Sequence, residues 1–390
     1  MLPICYSSDE VGAPTLNNVN GSLVGVLDAV LTTGFNPRSV TSITVNGNVA
    51  TAVIPTHSFV GGVGRRVLFA GASDAALNGV KTVTVVDANT VTFPAPGVAN
   101  GVASGTLTAK RAPLGWTKLF SGTNKAVYQR TDPQATSMVL RVDDTGSGVA
   151  STTYARARMA ESATDVDTLT AIAPLDTHLS GGVYVSKGTN DATAKRWVAV
   201  GDGRTLWFFS DDSAYPFSSY SGLHGFGFGD ITSWRSGGDA YGCLIWGGTS
   251  STGANNTHYS TDTPTLAGGI YVARSVNHIG GSTAVSFRGR ATGQYAGTST
   301  TGHAPYPSPV DGGCAIETAV LVPEYVTTGF PPFRGTARGV AHPLGAVTTV
   351  LHGQTLPNLV GTNDTFLCVG CTAQGSGSGG TLLFNLTSEW

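Results

Sequence analysis

The chain has 390 residues, including 53 glycines; 41% of its residues are hydrophobic, only 12% are charged, and the formal net charge is −2. This hydrophobic content is ample for one or two cores, so the low charge does not indicate disorder, which goes with high charge and few apolar residues. The near-neutral charge, with scattered Lys and Arg, gives no electrostatic basis for nucleic-acid binding, and no run approaches the roughly 18 apolar residues of a membrane span.

The amino terminus, residues 1–12, has neither a basic region nor an apolar stretch of the kind found in secretory signals. We therefore expect synthesis in the cytosol. Five cysteines occur, at positions 5, 243, 314, 368 and 371. An odd number at wide spacing argues against a disulfide framework, and the Cys368/Cys371 pair lies in a predicted strand, residues 366–372, without a second ligand pair. We interpret the cysteines as structural.

Residues 22–35 carry the apolar stripe of an amphipathic helix. The apolar positions are Leu23, Val26, Leu27, Val30 and Leu31. Asn20 or Ser22 is predicted to cap the amino end, and Gly34 to end the helix in the left-handed conformation.

Residues 37–112 change to short β-branched runs with hairpin turns at Asn46-Gly47 and Asp87-Ala88-Asn89. We predict a small β-sandwich module here, long enough to fold alone, whose ends lie close in space. Residues 1–36 and 113–390 are predicted to form the main domain. The predicted fold class is mainly β, with an antiparallel, sandwich-type main domain and one short helix.

Residues 115–146 show strand, turn and strand, followed by a third alternating run from Met138 to Val142, and are predicted to bring Trp116 into a core. The next run, from Tyr154 to Glu161, places Arg156 and Arg158 on one strand face. Such a pair is a salt-bridge or glycan-binding patch, or part of a solvated strand, which is the commoner case.

Residues 195–210 predict a hairpin, and four consecutive apolar residues, 206–209, predict a strand covered on both faces. Glycines alternate at 225, 227 and 229, but a phosphate-binding loop needs a following Lys-Ser/Thr and a helix, which are missing. Further strands are predicted at 269–274, 283–288 and, as a pair joined by 375–380, within 365–390. The Gly- and Ser-rich segment 247–265 is predicted to be an exposed loop.

Three pairs of aspartates are candidate catalytic acids: Asp143/Asp144, Asp165/Asp167 and Asp211/Asp212. Glycoside hydrolysis requires two carboxylates that face each other across a cleft, which adjacent turn residues do not provide. The chain lacks HExxH and GxSxG motifs, and no Asp spacing fits a calcium loop. We predict no enzymatic activity, no catalytic or metal-binding residues and no cofactor.

Several segments together resemble virion structural proteins of tailed bacteriophages, a family encoded among tail and baseplate components. They are GWTK at 115–118, GTNKAVYQR at 122–130, LRVDD at 140–144, GFGFGDI at 225–231, GDAY at 238–241, the proline- and glycine-rich segment 304–324, FRG at 333–335 and HPL at 342–344. In the family, the Gly-Phe after the helix leads almost directly into GWTK, which implies that 37–112 is an insertion similar to the small immunoglobulin-like modules of phage tail proteins.

The resemblance implies a structural part of the virion, at the tail tip, the baseplate or an attached fibre, that contacts other tail proteins and forms a homotrimer. The inserted module would present a host contact or serve as scaffold. The alternative is a receptor-binding tail protein that holds a host glycan, with Tyr215, Tyr220 and Trp234 as candidate binding residues. A head decoration protein and a tail-associated hydrolase are less favoured alternatives.

Overall fold

The computed structural model describes residues 1–146, 154–188, 192–211, 223–249, 269–287, 308–310, 312–343, 353–357, 363–372 and 379–390. The protein is mainly β, as predicted, and consists of antiparallel sheets with one short α-helix, α1 (Ser22–Leu27). A π-helical segment (Asp28–Thr33) continues α1, and a 3-10 turn covers Ala75–Leu77.

The first strands in chain order are β1 (Ile4–Ser7), β2 (Phe35–Ser39), β3 (Ser42–Asn46), β4 (Val49–Val53), β5 (Arg66–Ala72), β6 (Gly79–Thr82), β7 (Thr84–Asp87), β8 (Thr90–Pro94), β9 (Gly101–Val102), β10 (Gly105–Arg111), β11 (Thr117–Gly122), β12 (Lys125–Gln129), β13 (Val139–Asp143), β14 (Tyr154–Ala163), β15 (Leu169–Ala173) and β16 (Val183–Ser186).

The later strands are β17 (Trp197–Gly201), β18 (Thr205–Asp211), β19 (Leu223–Ser233), β20 (Cys243–Trp246), β21 (Ile270–Val272), β22 (Thr283–Ala284), β23 (Ile316–Glu317), β24 (Leu321–Pro323), β25 (Phe333–Ala337), β26 (Val340–Pro343), β27 (Thr355–Pro357), β28 (Thr365–Thr372) and β29 (Gly379–Asn385).

The main domain stacks three sheets. A nine-stranded sheet runs β1-β17-β18-β19-β20-β21-β22, with β25 and β24 added beside β19. A six-stranded sheet (β11-β12-β13-β14-β15, with β16 beside β14) and a five-stranded sheet (β23-β26-β29-β28-β27) complete the domain. The prediction that the 206–209 strand is covered on both faces is confirmed, because Leu206 and Phe208 join one core while Trp207 and Phe209 join another.

The first core lies between the nine-stranded sheet, the six-stranded sheet and α1, and includes Trp116, as predicted. The Trp116 indole nitrogen donates to the carbonyl oxygen of Asp202 at 3.1 Å, and its ring meets that of Phe228 edge-on. The second core lies between the nine-stranded sheet and the carboxy-terminal strands β28 and β29. Alternate residues of β17 to β20 therefore supply two different cores, which is why β17, β18 and β20 contain continuous apolar runs.

The predicted caps of α1 are wrong at the amino end. Gly21 occupies the N-cap position and no side chain there caps the helix. The Leu23 amide instead donates to a carboxylate oxygen of Asp144, 2.9 Å away and 121 positions along the chain. Gly34 does end the helical region with a positive φ of 71°, but its ψ of 179° is not left-handed helical. A local cap is unnecessary because a distant carboxylate satisfies the amide.

Residues 35–111 form a two-sheet sandwich with its own core. One sheet runs β2-β10-β5-β6 and the other β7-β8-β4-β3-β9. The predicted hairpin turns occur between β3 and β4 and between β7 and β8. Phe35 pairs with Arg111, so the two ends of this unit lie side by side, as an insertion requires. That the unit folds as a separate domain stays a prediction.

An ionic cluster joins the sandwich to the main domain. Glu10, of the amino-terminal segment, accepts hydrogen bonds from Arg65 and from the Nε of Arg111, the latter at 2.6 Å. The Arg111 guanidinium also lies 4.9 Å from the ring centroid of Tyr6. Since Glu10 and Arg111 are both buried, the sandwich is held by a paired buried charge as well as by apolar contact.

Candidate functional site

Trp234 is the predicted glycan-contact residue that the structure describes, whereas Tyr215 and Tyr220 lie outside the described residues. Trp234 is 55% exposed. Its ring centroid lies 6.0 Å from that of Phe333, with the planes tilted by 44°. One predicted binding residue therefore lies at the surface beside a second aromatic ring.

The position of Trp234 follows from the pairing of β19 with β25. Ser233, the last residue of β19, pairs with Gly335, and the Trp234 amide donates to the carbonyl oxygen of Arg334 at 3.0 Å. A Cβ on Gly335 would lie 2.0 Å from a carbonyl oxygen of β19, and the Gly335 φ is 156°. Glycine thus permits the close approach of the two strands that places Trp234 next to Phe333.

Arg235 and His278 lie beside this aromatic pair. The Nη1 of Arg235 is 2.6 Å from the Nε2 of His278, and the same Nε2 is 3.0 Å from a carboxylate oxygen of Asp239. In a neutral imidazole Nε2 either accepts from the guanidinium or donates to the carboxylate, so the tautomer selects one contact. His278 has a positive φ of 63°, a strained conformation of the kind that occurs at functional sites.

Arg274 and Tyr241 extend the same surface. The Arg274 guanidinium makes a two-pronged ion pair with Glu161, with the longer contact at 2.9 Å. Its central carbon lies 4.6 Å from the Tyr241 ring centroid, within cation–π range. The Tyr241 ring meets His278 edge-on at 4.9 Å. Aromatic and cationic groups therefore alternate across this part of the molecule.

A buried ion network lies beneath. Arg334 is 1% exposed and pairs with two carboxylates, those of Glu324 at 2.6 Å and of Asp239 at 3.1 Å from the guanidinium Nε. The Arg334 guanidinium also donates to the carbonyl oxygen of Arg274. Because a buried charge must keep its partners, this network fixes the three chain segments 233–242, 273–281 and 324–334 relative to one another.

We call the exposed and half-exposed residues above this network the Trp234 surface. They are Trp234, Arg235, Tyr241, Arg274, His278 and Phe333. Aromatic faces bind the apolar side of a ring-shaped ligand, while guanidinium and imidazole groups donate to hydroxyl or carboxylate oxygens. The three carboxylates next to this surface, those of Glu161, Asp239 and Glu324, are each paired with an arginine and so are not free to transfer protons. The arrangement therefore suits binding of a sugar better than acid–base chemistry.

The candidate acids that the structure describes make structural contacts instead of facing each other. Asp143 pairs with Arg141, while Asp144 is fully buried against Lys187 and caps α1. Asp165 accepts from the amide of Asp167, at 2.8 Å. The Asp167 carboxylate pairs with Lys125 and Arg141. The side chains of Asp211 and Asp212 lie outside the described residues.

The alternating glycines lie inside β19, and two of the three, Gly225 and Gly227, make room for tryptophans. A Cβ on Gly225 would come within 1.9 Å of the Trp246 ring, and one on Gly227 within 2.7 Å of the Trp207 ring. These glycines therefore serve core packing, in agreement with the rejection of a phosphate-binding loop.

The arginine pair of β14 is mostly buried, which corrects the solvated-strand interpretation. Arg156 is 7% exposed and its guanidinium stacks 3.5 Å from the Tyr184 ring centroid. Arg158 pairs with Asp176. Both arginines thus hold β14 against the elements that follow it.

Cys314 and Cys368 lie together in a small core on the other side of the carboxy-terminal sheet. Burial raises the pKa of Cys314 to about 11 and that of Cys368 to about 12. Such thiols stay protonated at neutral pH and are unreactive, in keeping with the interpretation of Cys368 as structural. Among the described residues, no group of three or more His, Cys, Asp or Glu is placed to hold a metal ion.

Lowering the pH is expected to weaken the fold through His342. Burial lowers the pKa of His342 from 6.5 to about 3. Below pH 6.5 the unfolded chain takes up a proton that the folded chain does not, so stability present above that pH is lost as the pH falls toward 3. From pH 7 to pH 5 this group should cost about 2 kcal/mol.

Urea unfolding at the two pH values checks the effect, with His342→Gln as the comparison. The Gln variant should lose less stability between pH 7 and pH 5 than the parent protein. Identical losses in both proteins would show that His342 is not responsible.

Sequence reasoning proposed Trp234 as a binding residue, which stays a prediction, and assigned no role to Asp239, Arg334 or His278. Asp239 lies in the GDAY segment and Arg334 lies in the FRG segment, and both segments carry the family resemblance. The sequence does contain a signal for Arg334, which is the single arginine in the strand-like segment 333–337. An arginine in a strand is either exposed to solvent or paired with a buried acid. His278 has no comparable signal, because its partners come from other segments of the chain.

The fold places the chain in the class of mainly β proteins built from stacked antiparallel sheets. Comparison with protein-family models found no match, and comparison with curated proteins found no similar sequence. No helix among the described residues is long and apolar enough to cross a membrane.

Proposed function

We propose that the protein is a structural component of a tailed-phage virion, located at the tail tip, the baseplate or an attached fibre. In this role it contacts other tail proteins and assembles as a homotrimer. The proposal comes from the resemblance of the quoted segments to phage virion proteins. The inserted sandwich would extend from this main domain toward a neighbour or the host.

The observation that carries the proposal is where the resembling segments lie in the fold. Arg130, from GTNKAVYQR, forms a fully buried ion pair with Asp230, from GFGFGDI, at 2.6 Å. Asp239, from GDAY, pairs with Arg334, from FRG. The resemblance therefore includes both partners of two buried ion pairs that join distant parts of the chain, and loss of either partner of such a pair is strongly destabilising. A resemblance limited to common turn and strand residues would not include both partners of such pairs.

Gold-labelled antibody on purified particles of the encoding phage, viewed by electron microscopy, tests the location. Label at the tail tip, baseplate or fibres is expected. Label on the capsid, or on no intact particle, would overturn the tail assignment and favour a decoration protein or a released hydrolase. Antibody pre-absorbed with the pure protein is the control for nonspecific label.

The second candidate function is binding of a host surface glycan, and the Trp234 surface favours it. Trp234→Ala removes the most exposed ring of that surface. We expect binding of the purified protein to host cells to weaken at least tenfold, as for a central aromatic contact. Because Trp234 is more than half exposed, the urea midpoint should change little.

Leu119→Ala is the matched control, since Leu119 is an exposed apolar residue on β11, a strand that carries none of the residues of the Trp234 surface. Its cell binding should equal that of the parent protein. Equal binding by Trp234→Ala and the parent would rule out this surface as the glycan site, without bearing on the particle location.

A further inference from the structure

A cleft of about 600 Å³ lies where the sandwich meets the main domain. The sandwich contributes the glycine-rich segment 61–64 and residues of β5 to β7, and the main domain contributes residues near both ends of the chain. The volume falls within the roughly 300–1,000 Å³ of small-molecule sites. We call it the Arg66 cleft, after the arginine that lines it. Its apolar side chains are those of Leu2, Val63, Val83, Val85 and Leu386.

Segment 61–64 is packed tightly against both walls of the cleft. A Cβ on Gly61 would lie 3.2 Å from the Val85 side chain of the sandwich. A Cβ on Gly64 would lie 3.2 Å from the Leu386 side chain of the main domain. The buried ionic cluster described above also joins the two units. Close packing therefore fixes the shape of the cleft, as in small-molecule sites that are formed before the ligand binds.

Among the described residues that line the cleft, Arg66 alone is charged. Its Nη1 donates to the hydroxyl oxygen of Thr82 at 3.0 Å, and its Nε donates to the carbonyl oxygen of Pro3 at 3.4 Å. Both partners are neutral. No carboxylate in the described part of the chain forms an ion pair with Arg66, so its positive charge is not compensated.

Two carboxylates lie near this part of the molecule, and neither pairs with Arg66. Glu10 pairs with two other arginines of the ionic cluster. Asp364 accepts from the hydroxyl of Thr387 at 2.8 Å, but Asp364 is not among the residues that line the cleft. Partial burial and the neighbouring Arg111 guanidinium lower the pKa of Arg66. A half-buried cation in this situation is stabilised by an anionic ligand.

Segment 61–64 adds hydrogen-bond donors beside Arg66. Its carbonyl groups are engaged, because the Gly62 oxygen accepts from the Arg65 amide at 3.1 Å and the Gly64 oxygen accepts from the Cys5 amide at 3.0 Å. Its four amides, by contrast, donate to no group in the portion of the chain that the structure describes. Successive amides in a turn can bind an anion, and this segment lines the cleft.

We propose that the Arg66 cleft binds a small aliphatic carboxylate, whose carboxylate pairs with Arg66 and whose hydrocarbon chain lies against the valine and leucine side chains. A guanidinium suits this role because it donates two parallel hydrogen bonds to one carboxylate. The carboxy terminus of a peptide carries the same group, but each of its residues adds an amide that apolar walls leave unsatisfied. This inference is independent of the proposed function.

Isothermal titration calorimetry of the full chain with octanoate tests the proposal, with 1-octanol as the neutral ligand of equal chain length. Octanoate should bind more tightly than octanol by about tenfold or more, because only the acid forms a charged hydrogen bond with Arg66. Failure of octanoate to bind at millimolar concentration would overturn the proposal. Equal binding of octanoate and octanol would overturn it as well, since Arg66 would then play no part.

A series of acids tests the apolar walls of the cleft. From butanoate through hexanoate to octanoate, affinity should rise about fourfold for each added methylene group, which is the effect of burying one CH₂. An affinity that does not depend on chain length would contradict contact with the valine and leucine side chains. Tighter binding of acetyl-valyl-leucine than of octanoate would overturn the choice of an aliphatic acid over a peptide carboxy terminus.

Arg66→Met removes the charge and keeps an aliphatic side chain. It should weaken octanoate binding by about tenfold or more and change octanol binding little. Lys110→Met is the matched control, because it removes a cation from β10, the strand beside β5 in the same sheet, and Lys110 does not line the cleft. It should bind octanoate like the parent protein. Equal octanoate binding by the two variants would overturn the proposal.

Val63→Glu is a second variant that tests the cleft without changing Arg66. Val63 lines the cleft and is 39% exposed, so the substitution should leave the fold intact. The new carboxylate would pair with Arg66 and repel the ligand, and octanoate binding should be lost. Equal thermal midpoints verify that all three variants are folded. Unchanged octanoate binding by Val63→Glu would place the ligand elsewhere and overturn the proposal.

Discussion

Gly225→Ala is expected to lower the free energy of unfolding by about 3 kcal/mol, at the upper end of the usual cost of overpacking. The new methyl carbon would lie 1.9 Å from the Trp246 ring, well inside contact distance. The ring cannot simply move aside, because Trp207, Phe209 and Phe287 all surround it at centroid distances of 5.9 to 6.2 Å.

Urea unfolding followed by tryptophan fluorescence measures this loss. Gly237→Ala is the control, since a Cβ there would meet nothing within 4 Å, and Gly237 is exposed. The control should leave the urea midpoint nearly unchanged. If Gly225→Ala were as stable as Gly237→Ala, the packing of β19 against β20 would differ from that described above.

Lys187→Met is expected to cost about 3–5 kcal/mol, because it leaves the buried Asp144 carboxylate without its partner. Both side chains are 0% exposed. The Lys187 ammonium also donates to the carbonyl oxygen of Val19, at 2.9 Å. The pair therefore connects the strand end after β13, the segment after β16 and the chain that enters α1.

The pH dependence of this variant separates charge from packing. Burial already raises the pKa of Asp144, with Lys187 opposing that rise; without the lysine the folded-state pKa rises further. A folded-state pKa above the unfolded value contributes stability at low pH that is lost as the pH rises through it. The stability deficit of Lys187→Met relative to the parent should thus be smaller at pH 5 than at pH 8. A deficit that does not change with pH would indicate lost packing alone.

Two further variants complete the test. Lys125→Met breaks an ion pair with Asp167, whose carboxylate is 53% exposed, and should cost less than about 1 kcal/mol. The double change Asp144→Leu with Lys187→Met removes both buried charges and should recover part of the loss. Full recovery is not expected, because the Leu23 amide then loses its capping carboxylate.

The sequence by itself determined the fold class, the hairpins and the two-sheet sandwich of residues 35–111. Each rests on local signals: alternation of apolar residues, turn residues such as Asn46-Gly47, and the apolar run 206–209 that required two covered faces. These signals suffice because strand formation and turn chemistry depend on neighbours in the chain. The same reasoning placed Trp116 in a core and interpreted the alternating glycines correctly as something other than a phosphate-binding loop.

Only the tertiary structure decided which polar groups meet. Asp144 caps a helix 121 positions away, and Arg334 finds Asp239 95 positions away. Contacts between residues so far apart in the chain cannot be predicted from the order of the residues, because the stacking of the sheets determines them. The Trp234 surface arises in the same way, since strand register and sheet packing decide which side chains from distant segments become neighbours at the surface.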